Sequence, residues 1–257
     1  MNALANEDLR KATPSVFALE PWQKMSDKYR FIPTISVVEA LRAEGFLPVK
    51  AMQGKVRVAT KAEFTKHILR FRRETDSGRA DIPEIVLINS HDGTSSYKLM
   101  LGIFRLVCSN GLVVGDTLSQ IRAIHAGGRD IVGEVIDASY RLIGESPRVL
   151  GTIEQWRGVQ LDAPAQLAYA KAAVELNPSS LELKPESLLI ARRWEDRQDN
   201  SLYCTFNRVQ ENFVKGGVLG RSAKSGLRRT RALNNIQENV KLNKALWRLT
   251  EEMAKLH

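Results

Sequence analysis

The chain is predicted to be α+β: an antiparallel sheet built from hairpins and packed with helices, followed by a helical C-terminal part. Three observations lead there. Between Glu84 and Val114, apolar runs of strand length alternate with small polar breaks. From Arg129 onward the apolar residues instead recur at helical spacing. The order α–ββ–mixed–βββ–α and then helices lacks the regular βα alternation of a doubly wound sheet. The 257 residues, 43% of them hydrophobic, suffice for a real core. The reading divides them into an arm (1–34), an α+β core (35–160) and a helical, basic part packed on the core (161–257).

In the arm, Leu9-Arg10-Lys11-Ala12 ends a short helix, Pro14, Pro21 and Pro33 punctuate the rest, and Val16-Phe17-Ala18 and Trp22 pin it to the body. A helix then starts at Thr34, with Thr34 or Ser36 as its cap, Val37, Val38 and Leu41 as its apolar set, and Gly45 as its end. Phe46 to Ala59 reads as two strands around Gln53-Gly54, a hairpin turn by type. The alternation Lys55-Val56-Arg57-Val58 sets Lys55 and Arg57 on one face. His67 to Arg72, with Arg70 and Arg72, fits either a helix end or a basic strand, and Thr75 to Pro83 reads as a polar loop.

Glu84-Ile85-Val86-Leu87-Ile88 fits a buried strand. The polar turn Asn89 to Ser96 follows, then apolar runs at Tyr97–Val107 and Leu112–Val114, and a further strand within Ser119–His125. Beyond these come a helix from Arg129 to Ile143 that continues past a break near Pro147 to Trp156, and an alanine-rich helix from Ala163 to Glu175. Shorter helices are expected at Ser187–Trp194 and Leu202–Val214, a glycine-rich turn at Gly216–Arg221, and a closing helix from Asn234 to Leu256.

Charge is the strongest compositional signal. The net charge is +9, and residues 201–257 hold eleven Lys and Arg against four Asp and Glu, so seven of the nine excess charges lie in the last fifth of the chain. Concentrated positive charge favours a polyanion partner. Lys215, Arg221, Lys224, Arg228, Arg229 and Arg231, interleaved with glycine and hydroxyl residues, are the main candidates for nucleic-acid contact, and Lys55, Arg57, Arg70 and Arg72 are expected to join them. A flexible, solvated loop is the alternative for that run. No helix-turn-helix or zinc-finger signature is present, so backbone-led binding is favoured over sequence reading. Basic grooves with stacking faces hold single strands; Tyr97, Phe104, Phe71 and Tyr203 are the stacking candidates, although a place in the core is the favoured reading of each.

The turn Asn89-Ser90-His91-Asp92-Gly93-Thr94-Ser95-Ser96 is eight residues long where a hairpin needs two to five. It can bond its own backbone, bind a ligand or exchange protons. The expectation is a binding surface: Asn89 and Asp92 fix the loop, and His91, Thr94, Ser95 and nearby Lys98 face a ligand. His67, His125 and His257 form no metal-ligand motif with His91, and Cys108 and Cys204 make neither a disulfide scaffold nor a zinc pair. Nucleophile-elbow, Walker and dinucleotide motifs are missing. No catalytic residue, metal or cofactor is assigned.

No run of about 18 apolar residues suggests a membrane span. The acidic N-terminus lacks the apolar core of a signal peptide, so the cytoplasm is the expected location.

Several segments together carry a resemblance: Pro14-Ser15-Val16-Phe17-Ala18, Phe31-Ile32-Pro33-Thr34, Gly45-Phe46-Leu47-Pro48-Val49, Lys66-His67-Ile68-Leu69-Arg70, Asn89 to Ser95, Phe104 to Val113 and Asn243 to Trp247. From about Pro14 to Trp247 the chain resembles the phage- and plasmid-associated family catalogued as domain of unknown function 932. That resemblance implies a mobile genetic element and supplies no reaction. A weaker likeness in element order, to phage single-strand annealing proteins, makes single-stranded DNA the first ligand to test. The expected function is therefore non-enzymatic nucleic-acid binding, single-stranded DNA first, in replication, recombination or establishment. The rival readings are an interaction protein that inhibits a host defence factor and a metal-dependent nuclease using His91 and Asp92. A homo-oligomer and a host protein partner stay open.

Overall fold

The computed structural model describes residues 3–25, 31–54, 59–76, 78–95, 97–105, 111–113, 120–123 and 130–257. The chain divides into two compact units, Met1–Ser146 and Pro147–His257. The sequence reading set its boundary later, after residue 160.

The first unit is an antiparallel sheet with helices, and α+β is its class. Four long strands run in the order β1 (Phe46–Gln53), β2 (His67–Arg73), β3 (Asp81–Asn89) and β4 (Tyr97–Arg105). Short β5 (Gly111–Val113) pairs with the far half of β4, and β6 (Gln120–Ala123) with its near half. Every residue of β3 is buried, which is why its centre, Ile85-Val86-Leu87-Ile88, is a continuous apolar run rather than an alternation. Pro48 sits at a register shift in edge strand β1, where a missing N–H is tolerated.

Cross-strand pairing corrects two local expectations and settles a third that the sequence left open. β1 pairs with β2 across the segment between them, so Gln53-Gly54 is not the turn of a tight hairpin. The ambiguous segment at His67 is a strand, paired on both sides. Pro83 lies inside β3 rather than in a loop. The β2 ladder ends at Glu84, one residue short of Pro83, so the absent N–H breaks no bond there.

The arm is folded: α1 (Asn6–Ala12) and a 3-10 turn (Pro14–Phe17) bury Leu9 and Val16 completely. Helix α2 (Thr34–Ala43) buries Val37, Val38 and Leu41. Its N-cap is Pro33, with no side-chain cap bond, so neither Thr34 nor Ser36 caps it. Helix α3 (Ile131–Gly144) is capped by Asp130, which accepts from Gly133 N at 3.0 Å, and buries Ile131, Val135, Ala138 and Leu142 on one stripe.

The second unit is mainly helical. It contains α4 (Ser146–Gly158), α5 (Ala163–Val174), α6 (Pro185–Leu188), α7 (Leu202–Lys215) and α8 (Ile236–Ala254). Helix α6 is shorter and earlier than the expected 187–194, which leaves Arg192 to Trp194 on a loop. All residues of α7 from Leu202 to Phe213 are buried, so this helix is the unit's axis. Its polar side chains are each satisfied: Gln210 bonds Asn243, Asn212 bonds the carbonyls of Leu188 and Ile190, and Arg208 bonds those of Asp196 and Asp199. Trp156 and Trp247 close the core with ring centroids 4.3 Å apart. A three-stranded sheet, β7 (Glu182–Leu183), β8 (Leu219–Ser222) and β9 (Gly226–Arg229), completes the unit. Among the described residues no helix is long and apolar enough to cross a membrane.

Candidate nucleic-acid interface

The basic run expected as a turn or loop folds as a hairpin. Helix α7 stops at Gly216, whose φ of +67° suits glycine, and a Cβ there would lie 2.4 Å from the Arg231 carbonyl carbon. That close approach lets the hairpin's two ends meet: Gly217 N donates to Thr230 O and Thr230 N to Val218 O, both at 2.8 Å. At the tip, Ser222 pairs with Gly226 across a three-residue turn, and Gly226 takes φ +70°. At the base, Gly220 admits Leu183, since a Cβ would stand 2.6 Å from its Cδ2. The result is a β-ribbon moored on one edge.

Register places Leu219 opposite Arg229 and Arg221 opposite Leu227, so these four share a face, while Arg228 stands with Gly220 on the other. Arg221, Lys224, Arg228, Arg229 and Arg231 are all exposed. Arg229 donates to Gly217 O at 2.7 Å. The tip residues Arg221, Ser222, Ala223, Lys224, Gly226 and Leu227 surround an open depression of about 470 Å³. Lys215 is different. It sits 2.5 Å from Glu211, which also takes Arg193 at 2.8 Å. Burial pushes the Glu211 carboxyl up, but the bonds from Arg193 and Lys215 prevail and hold it below the usual range.

In the first unit the expected cations divide. Lys55 and Arg57 lie outside the described residues. Arg70 and Arg72 are buried: Arg70 Nε is 2.6 Å from Glu84 Oε2, and Arg72 Nη2 is 2.6 Å from Glu84 Oε1. Arg70 also lies over the Phe104 ring, 3.3 Å from its centroid. Strands β2 and β3 set the three ionic residues on one face, and their burial takes both guanidiniums away from any phosphate.

The turn between β3 and β4 largely bonds itself. Thr94 N and Oγ1 reach Asp92 Oδ1 at 3.0 and 2.6 Å, and Ser95 N reaches Ser90 Oγ at 2.8 Å. Burial pushes Asp92 up, but the Thr94 hydroxyl and amide, with Ser90 and Lys61, hold it below its ordinary value. Thr94 is exposed, Lys98 is half-buried and Ser95 is buried. Burial, with Lys98 nearby, lowers the Lys66 ammonium despite Asp92. His91 does not face outward. It is fully buried, its amide held by Phe64 O and its carbonyl by Trp22 N. Its ring turns inward while Asp92 stays with Thr94, so the pair expected for the nuclease reading does not converge.

Inside this turn lies a constellation that sequence reading missed. Thr34 Oγ1 stands 3.0 Å from His67 Nε2, 3.1 Å from His91 Nε2 and 3.1 Å from Asn89 Nδ2. His67 Nδ1 lies 2.9 Å from Ser15 Oγ, which lies 2.8 Å from Gln53 Oε1. All but half-buried Gln53 are buried. Five chain segments thus share one polar network, and Asn89 belongs to it rather than to a surface.

The stacking candidates Tyr97, Phe104, Phe71 and Tyr203 are all buried, in line with the favoured core reading, and present no face to a base. Trp194, not singled out from sequence, is exposed. Its signal was legible as a tryptophan inside Arg192-Arg193-Trp194-Glu195-Asp196-Arg197.

A family model described as "Domain of unknown function (DUF932)" matches residues 21–247. The chain is similar to UPF0380 protein YafZ of Escherichia coli (strain K12), 42% identical over 252 residues that cover 97% of this chain and 91% of that protein. UPF0380 protein YfjQ of the same organism is similar to the same extent, 42% over 252 residues with the same coverage. No solved structure matches the chain significantly.

Proposed function

We propose a nucleic-acid-binding role for this chain, which belongs to the family described as domain of unknown function (DUF932). In this reading the β8–β9 hairpin holds the phosphate backbone, with single-stranded DNA as the first ligand, in replication, recombination or establishment of a plasmid or prophage. One observation carries it. Five cations occur within residues 221–231, all are exposed, and among the described residues none is ion-paired. Elsewhere in the same unit Arg193 and Lys215 are matched by a carboxylate. Unmatched like charges on a two-stranded ribbon repel one another, and a polyanion relieves that repulsion while releasing its own counterions.

The test is fluorescence anisotropy with labelled oligo-dT, a mixed-sequence duplex and oligo-rU, at about 50 and about 200 mM salt. Binding should weaken steeply with salt. Changing Arg221, Lys224, Arg228, Arg229 and Arg231 together to Gln should lower the log–log slope by roughly 0.7 per lost single-strand contact. An unchanged slope would remove the hairpin from the site. Salt-independent binding, or none, would overturn the reading.

A further inference from the structure

We infer that Trp194 is a base-stacking platform for single-stranded nucleic acid, operating beside the cationic hairpin; the inference rests on the nucleic-acid reading above. Trp194 is 73% exposed, whereas Trp156 and Trp247 are buried. An exposed tryptophan on a loose loop would mean little, but this loop is tightly held. Arg192 Nε donates to Asn212 Oδ1 at 2.7 Å, and its Nη2 donates to Gly216 O. Arg193 grips Glu211 through two nitrogens, at 3.2 and 2.8 Å. Asn212 Nδ2 holds Ile190 O at 2.9 Å, and Arg208 holds the carbonyls of Asp196 and Asp199. Every anchor comes from α7 or its C-terminal turn. The backbone on both sides of Trp194 is fixed while the indole faces water, an arrangement that pre-organises a contact.

Two further features select the ligand. The Arg197 guanidinium lies 5.0 Å from the Trp194 ring centroid, a cation–π pair that steadies the ring and places a phosphate-binding group at its side. The loop also adjoins the base of the hairpin. Arg192 donates to Gly216 O, and Arg229 of the outer strand donates to Gly217 O at 2.7 Å. The loop itself is charge-balanced, with Glu195, Asp196 and Asp199 against Arg192, Arg193 and Arg197. So the hairpin supplies the charge and Trp194 the stacking. Bases in a duplex are stacked on each other, so an indole of this kind takes unpaired bases, with little regard to sequence.

The test uses the full chain with Trp194→Ala and Trp194→Phe. Trp194→Ala should weaken oligo-dT binding roughly 5- to 100-fold, the range for loss of one base–aromatic stack. The salt slope should stay at the wild-type value, because no charge is removed. Trp194→Phe should retain most of the affinity, and duplex binding should not change. An abasic strand of the same length should bind wild type and Trp194→Ala alike. A loss with oligo-rU as well as oligo-dT supports the platform for either sugar, and a loss with one of them names that sugar. If Trp194→Ala binds both single strands like wild type while binding remains salt-dependent, the platform is wrong and the hairpin reading stands. If wild type shows no salt-dependent binding to any nucleic acid, both fall together.

Discussion

Thr34 Oγ1 donates its hydrogen bond to His67 Nε2, across 3.0 Å. The direction follows from the rest of the network. Ser15 Oγ gives its one hydrogen to Gln53 Oε1, the amide oxygen, since Gln53 Nε2 is committed to Ala62 O. Ser15 can then only accept from His67 Nδ1–H, which also points at Thr65 O, 3.3 Å away. His67 is therefore the Nδ1–H tautomer, and its Nε2 needs a donor. With the Thr34 hydrogen so used, His91 Nε2 and Asn89 Nδ2 must both donate to Thr34.

Two histidine tautomers are thereby predicted, Nδ1–H for His67 and Nε2–H for His91, readable from the ring nitrogens by NMR. Thr34→Val should cost about 3 kcal/mol or more in urea denaturation, because several buried polar groups lose their partner at about 1–3 kcal/mol each. Thr34→Ser should recover most of it. Nε2–H on His67, or a Thr34→Val variant as stable as wild type, would refute the network.

Acid should dismantle the same network. Burial, reinforced by neighbouring His91 and opposed by the Thr65 carbonyl, pushes the His67 pKa down to about 3. The unfolded imidazole takes its proton near 6.5, so between 6.5 and 3 the unfolded state binds the extra proton. The stabilisation is complete above pH 6.5 and is lost as pH falls toward 3, about 5 kcal/mol over the whole window. Urea unfolding from pH 8 to pH 4 should show falling stability below about pH 6.5, and His67→Gln should flatten that fall. A profile identical in the variant would assign the acid sensitivity elsewhere.

Glu84 neutralises two buried guanidiniums at once, Arg70 and Arg72. Glu84→Gln keeps the shape but leaves both cations uncompensated, and should cost about 3–5 kcal/mol by equilibrium denaturation. Replacing all three with apolar residues of similar volume should recover most of that loss. A cost for Glu84→Gln below about 1 kcal/mol, the range of surface pairs, would mean that the pair is hydrated.

Much of the fold was legible in the sequence, and the reasons are local. The run Ile85–Ile88 marked β3 because a strand segment buried on both faces is apolar wherever no partner satisfies a polar side chain. The spacing of Ile131, Val135 and Leu142 marked α3 because a helix packs one stripe. The charge of residues 201–257 marked the basic region without revealing its form. A β-ribbon with Gly216 pressed on Arg231 requires knowledge of where the chain returns.

What the sequence determined by itself was therefore the α+β class, the longer helices and central strands, and the location of excess charge, since propensity, periodicity and composition act over a few residues. Tertiary structure decided which polar groups remain for a ligand. Arg70 and Arg221 are the same residue type, yet strand pairing sets Arg70 against Glu84 in the interior and leaves Arg221 on an exposed ribbon. His91 reads as a surface turn residue until α2 brings Thr34 to it from 57 positions away. Burial and hydrogen-bond partnership are properties of contacts between distant segments, and those contacts exist only once the chain has folded.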